Sequence, residues 1–123
     1  MKIIPILLTI VFFASCESAK KKLSDEIALS ESKLFSDSVK SLNVDESNNV
    51  LNNYLLYADK YKEDTISADY LFKAADLANG LRRPKESIAI FDRLMTSFPE
   101  YRKSPTALFM QAFIYETDRK SVV

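Results

Sequence analysis

Apolar residues recur every three or four positions in five stretches of the 123-residue chain, and this spacing predicts five amphipathic helices. Leu23, Ile27 and Leu34 with Phe35 mark the first, over 22–38, with acidic and serine residues on its outer face. Ser36-Asp37-Ser38 and Ser41-Leu42-Asn43-Val44 read as its end and a loop, because serine and asparagine side chains compete for backbone hydrogen bonds. The second helix, over 45–61, has a broad face of Val50, Leu51, Tyr54, Leu55, Tyr57, Ala58 and Tyr61. Asp45 is its expected N-cap, and Glu46 in the first turn favours the helix dipole. After the polar turn Lys62-Glu63-Asp64-Thr65, the third helix is expected to be capped by Ser67 and to run to Asn79, with Gly80 in the left-handed C′ position. Pro84 suits the first position of the fourth helix, whose Ile88, Phe91, Leu94 and Met95 point inward before Phe98 and the stop at Pro99. Ser104 as cap and Pro105 in the first turn open the fifth, which carries Leu108, Phe109, Ala112, Phe113 and Tyr115.

Ahead of the periodic part, Lys2 is followed by an apolar run from Ile3 to Phe13, broken only by Pro5 and Thr9 and ending in Ala14-Ser15-Cys16. In outline this is a secretory signal. Eleven residues at about 1.5 Å each reach about half of a bilayer core of about 30 Å, so a removed segment is expected rather than a permanent span. Phe13-Ala14-Ser15-Cys16 resembles a bacterial lipobox, with Phe13 in place of the usual leucine. The resemblance implies cleavage before Cys16 and lipidation of its thiol, and two or three acyl chains at about 0.8 kcal/mol per buried CH₂ make a stable anchor. An ordinary signal peptide cut after Ser15, or a buried free thiol, is the alternative. The expected organisation is a signal at 1–15, a tether at 16–22 and a helical domain at 23–123. The Lys20-Lys21-Lys22 triplet in the tether reads as a solvated linker, with contact to anionic lipid or nucleic acid as the other option.

A 37-residue period links the helices. Ser67-Ala68-Asp69-Tyr70-Leu71-Phe72 is matched by Ser104-Pro105-Thr106-Ala107-Leu108-Phe109, Ala75 by Ala112, Leu77 by Ile114, and, one helix earlier, Tyr54 by Phe91 and Tyr57 by Leu94. Ser30 to Phe35 supplies a third, weaker copy of Ser-x-x-x-Leu-Phe. Fixed periods of this length point to stacked helical hairpins. Leu71, Ala74, Ala75 and Ala78, then Ser87, Phe91 and Leu94, then Pro99 resemble the packing and stop positions of a tetratricopeptide (TPR) repeat, at 37 residues where about 34 is usual. The departures are Leu71 where an aromatic is common, and Ser87 and Leu94 where alanines are common. The resemblance implies an all-α fold of TPR-like antiparallel helical hairpins, an α-solenoid with about five helices after the signal peptide. Together with the lipobox, it resembles bacterial outer-membrane lipoproteins of the TPR type, including those that assist β-barrel assembly.

Asp118 to Val123 stands where a turn and a second helix of the last repeat are expected. Leaving Phe109, Phe113 and Ile114 uncovered would forfeit about 1.5–3 kcal/mol each, against a total stability of about 5–15 kcal/mol. The expectation is a chain shortened relative to its relatives, or a last helix that pairs with another chain.

Composition narrows the chemistry. There is no histidine and one cysteine, which leaves no His/Cys metal cluster, no Ser-His or Cys-His pair and no internal disulfide. The single glycine offers no phosphate-cradling loop. Basic and acidic residues number 17 each, and removing 1–15 takes away Lys2 alone, leaving 16 against 17, so no global field favours nucleic acid. Asp25-Glu26, Glu63-Asp64 and Asp69 with Asp76 read as solvated faces or turns rather than acid–base pairs, and Arg82-Arg83 as a solvated turn. The expected function is a non-enzymatic scaffold without cofactor or metal, lipid-anchored through Cys16 to the (outer) membrane of a bacterial envelope and facing the periplasm. It would hold a protein or peptide partner during envelope assembly or maintenance. By analogy with the concave side of TPR repeats, Asp69, Phe72, Asp76 and Asn79, with Thr106, Phe109, Phe113 and Glu116, would face that partner. The alternative is a fragment of an envelope enzyme, or of an enzyme subunit, whose catalytic part lies beyond Val123.

Overall fold

The apolar stripes meet because the turns between them are short. The computed structural model describes residues 4–36 and 43–122, with side chains from Ser15 onward, and within them the chain is all-α with no strand. Five helices follow one another: α1 (Ile4–Ser36), α2 (Val44–Lys60), α3 (Thr65–Gly80), α4 (Pro84–Ser97) and α5 (Ser104–Ser121). Each packs on the next in the chain. Turns at 61–64, 81–83 and 98–103 leave room only for reversal, so successive helices stack as antiparallel hairpins, as in a TPR-like array. The expected loop at 37–42 lies outside the described residues.

The core runs through the stack as one cluster: Leu23, Ile27 and Leu34 of α1, Val50, Leu51, Tyr54 and Tyr57 of α2, Leu71 and the alanines of α3, and Ile88, Phe91 and Leu94 of α4. Ala74, Ala75 and Ala78 are fully buried, and their small size brings the neighbouring helices close. One consequence is direct: the Ser87 hydroxyl on α4 donates to the Ala75 carbonyl at 2.6 Å, a bond that a larger residue at 75 would obstruct. On the other side of α3, Tyr70 stacks with Tyr54 at 5.4 Å and meets Tyr57 edge-on at 4.8 Å. Such aromatic pairs contribute roughly 0.5–1.5 kcal/mol beyond their burial.

Several helix ends differ from the sequence expectation. The N-cap of α2 is Asn43, whose side-chain oxygen accepts from the Asp45 and Glu46 N–H groups, so Asp45 falls inside the first turn. Asp64 caps α3 by accepting from Ile66 N–H at 3.0 Å. Ser67 is already helical, and its hydroxyl donates to the Tyr61 carbonyl at 2.6 Å. Gly80 is the last residue of α3 and does not take a positive φ; Arg82 does, at 61°. Arg82 N–H bonds the Asn79 carbonyl and Arg83 N–H the Ala78 carbonyl. These are the two bonds of a Schellman motif, with Arg82 at C′. Ser104 is the first residue of α5 rather than its cap, while Pro84 and Pro105 take the expected first-turn places.

Two larger differences concern the ends of the stack. Residues 16–22, expected as a tether, continue α1 as helix, and Lys20 bonds Asp64 at the α2–α3 turn at 2.6 Å. A lysine run is a good helix former, and the ion pair with Asp64 gives this segment a place on the body. On α5 the inward residues are Ala107, Gln111 and Ile114, not the bulkier Leu108, Phe109 and Phe113. Ile114, expected to be uncovered, is buried. Gln111 joins α4 by donating to Asp92 Oδ1 at 2.6 Å and to the Ile88 carbonyl at 3.3 Å.

Candidate functional site

The residues expected on one concave face occupy four settings. Asp69 is engaged: its carboxylate accepts from the Tyr101 hydroxyl at 2.7 Å and lies 3.8 Å from the Arg102 guanidinium. It edges a cavity of about 490 Å³ walled by Ala68, Phe98 and Pro99. Burial, reinforced by the bond to Asp69, pushes the Tyr101 hydroxyl above its ordinary pKa. Phe72 belongs to the packing: its ring meets Phe91 edge-on at 5.8 Å, and Lys103 Nζ lies 4.9 Å over it.

Asp76 and Asn79 do come together, on a groove of about 410 Å³ lined also by Glu31 and Phe35 of α1, Tyr54 of α2, and Lys73, Leu77 and Gly80 of α3. Its floor is fixed by one carboxylate. Glu31 Oε1 accepts from the Tyr54 hydroxyl at 2.6 Å and from Lys73 Nζ at 2.7 Å. Lys73 in turn lies over the rings of Tyr54 and Tyr70 at 5.8 and 5.7 Å. Burial first, and the bond to Glu31 second, push the Tyr54 hydroxyl well above its usual pKa, so it stays a donor. Lys73 and Asp76 are both exposed, so the edge of the groove carries one charge of each sign, the lysine paired with the half-buried Glu31. Leu77 and Phe35 add apolar surface to the groove.

Phe109, Phe113 and Glu116, with Thr106, are exposed on α5. Glu116 is engaged in turn, by Arg119 at 3.1 Å and Lys120 at 3.5 Å.

Sequence reasoning missed Glu31, Tyr54 and Lys73 as groove residues. Glu31 and Lys73 are 42 positions apart, and nothing local in either segment marks their meeting. A second polar cluster was also missed. Asp64, read as a solvated turn residue, accepts from the Tyr57 hydroxyl at 2.8 Å, from the Ile66 N–H and from Lys20. Burial alone would raise its pKa, but the bonds from Lys20, Ile66 and Tyr57 outweigh that and hold the carboxyl below its usual 3.8. The partner ammonium is held above its usual value, chiefly by the same hydrogen bond. Of the lysine triplet, Lys21 is paired as well, with Asp25 at 2.8 Å.

The Cys16 thiol is exposed, which rules out the buried-thiol alternative. Among the described residues, no group of three or more His, Cys, Asp or Glu side chains is placed to hold a metal ion, and no helix is long and apolar enough to cross a membrane. Comparison with protein-family models, with curated proteins and with solved structures finds no match for this chain.

Proposed function

We propose that the chain is a non-enzymatic, TPR-type scaffold lipoprotein of a bacterial envelope, anchored through Cys16, whose α1–α3 groove holds a protein segment in the periplasm. The observation that carries the reading is the groove: a walled, exposed trough with Asp76 and Asn79 on its edge and a floor pinned by the Glu31–Lys73–Tyr54 network. A floor already fixed by its own bonds is pre-organised, so a peptide entering it loses less free energy to ordering the site. The lipobox resemblance and the exposed thiol support the anchor.

Membrane-fraction protein, taken intact for mass spectrometry with its co-purifying proteins identified from the same preparation, tests both halves. The expected mass is that of residues 16–123 plus acyl chains, lost on Cys16→Ala. The paired change Asp76→Lys and Asn79→Lys should keep the acylated mass and the helicity while reducing partner recovery several-fold. An unmodified mass sinks the anchor, and undiminished recovery sinks the groove.

A further inference from the structure

Cys16 and one wall of the groove lie on the same helix. α1 runs unbroken through Cys16 to Glu31 and Phe35, so at about 1.5 Å per residue Glu31 stands about 22 Å along the axis from Cys16. The core reaches α1 only at Leu23, which is 7% exposed. Of residues 15–22, Lys20 alone is half-buried and the others are exposed. Its ammonium lies 2.6 Å from the Asp64 carboxylate and 5.7 Å over the Tyr61 ring, both in the α2–α3 turn. Asp64 is itself held by the Tyr57 hydroxyl at 2.8 Å and the Ile66 N–H at 3.0 Å, so its position does not depend on Lys20.

We propose that Lys20 and Asp64 form a latch that makes residues 16–22 a rigid arm of the body rather than a swinging tether. The segment needs one. It buries no apolar side chain, and with residues 1–15 removed it would be the outermost two turns of α1, the part of a helix that frays. Lys21 is tied to Asp25, but that pair lies within α1, and with both partners exposed it contributes little. The latch instead joins the arm to another part of the fold, at a carboxylate only 14% exposed, where an ion pair is screened less than at the open surface. A frayed arm of seven residues would let the distance from Cys16 to Leu23 fluctuate around roughly 15 Å. The latched helix fixes it at about 10 Å. For a chain anchored through Cys16, the latch therefore sets how far from the lipid attachment the groove is carried, a consequence that rests on the anchor and groove proposed above. The latch itself requires neither.

Hydrogen exchange of membrane-fraction protein in mild detergent, read by mass spectrometry with the intact mass taken from the same preparation, tests the latch. The amides of residues 20–23 bond to carbonyls of 16–19 only while the arm is helical, and they should exchange more than tenfold slower than unstructured chain. Lys20→Met removes the charge from a residue of similar helix propensity. It should speed exchange in the arm several-fold and leave α3 and α4 unchanged, whereas Lys20→Arg should stay at the wild-type rate. Asp64→Asn, which keeps an oxygen for the Ile66 N–H, should match Lys20→Met in the arm. A wild-type arm that exchanges as fast as unstructured chain overturns the proposal. So does an arm equally protected in Lys20→Met and Asp64→Asn, because the helix then holds without the latch. An unmodified intact mass is a failure of the anchor alone, and the exchange rates still decide the latch.

Discussion

Single residues in this chain act mainly by closing polar groups that the helix stack takes away from water. Asp64 has the most to satisfy: it caps α3, accepts from Tyr57 and holds Lys20. Its folded pKa lies below the unfolded value, so its contribution to stability is complete above the unfolded pKa and is lost as pH falls through the folded one. The melting temperature should therefore drop as the pH is taken below about 4, and Asp64→Asn should flatten part of that slope; an unchanged acid limb would show that the network adds nothing. None of this was legible locally. Glu63-Asp64-Thr65 looks like any polar turn, and the lysine that completes the cluster comes from a helix more than forty positions earlier. Glu31 and Lys73 teach the same lesson in the groove, where two charges on separately amphipathic helices neutralise each other only after α1 and α3 have been placed.

Elements were far more legible, because helix periodicity, first-turn prolines and the proline stop are properties of neighbouring residues. Five helices, Pro84, Pro105 and the stop before Pro99 appear about where the pattern set them, whereas the inward stripe of α5 is Ala107, Gln111 and Ile114 rather than the expected bulky residues. Helix ends were legible only to within a few residues. A helix end is decided by which side chain or carbonyl completes the orphan bonds, and several neighbours can compete for that role. The third helix shows the consequence. A left-handed Gly80 would make alanine there destabilising, whereas a helical Gly80 with nothing within 4 Å of an added Cβ makes Gly80→Ala stabilising by about 0.5–1 kcal/mol. Thermal melts should rise by a few degrees for Gly80→Ala, and also for Arg82→Gly, which relieves the side chain now held at positive φ. A fall for Gly80→Ala would restore the earlier placement of the turn. The first helix was underestimated for a related reason: a lysine-rich stretch without large apolar residues carries no amphipathic signal, although it can extend a helix whose ends are held elsewhere.

At the scale of the whole molecule, each helix relies on its sequence neighbours, so stability should be graded along the stack. Hydrogen exchange should find the slowest amides in α2, α3 and α4, which are covered from both sides, and faster ones toward the end of α5. Uniform protection along the chain would contradict this graded picture. The sequence by itself determined that the chain is a row of helical hairpins, since periodicity is carried by residues a few positions apart. Only the tertiary structure decided which equivalent positions are core and which are surface. Leu71 and Leu108 fall on the same repeat position and read alike, but α4 lies over one and no described residue covers the other. Burial depends on what stands opposite, and that is set by the stacking of distant segments rather than by the residue or its neighbours.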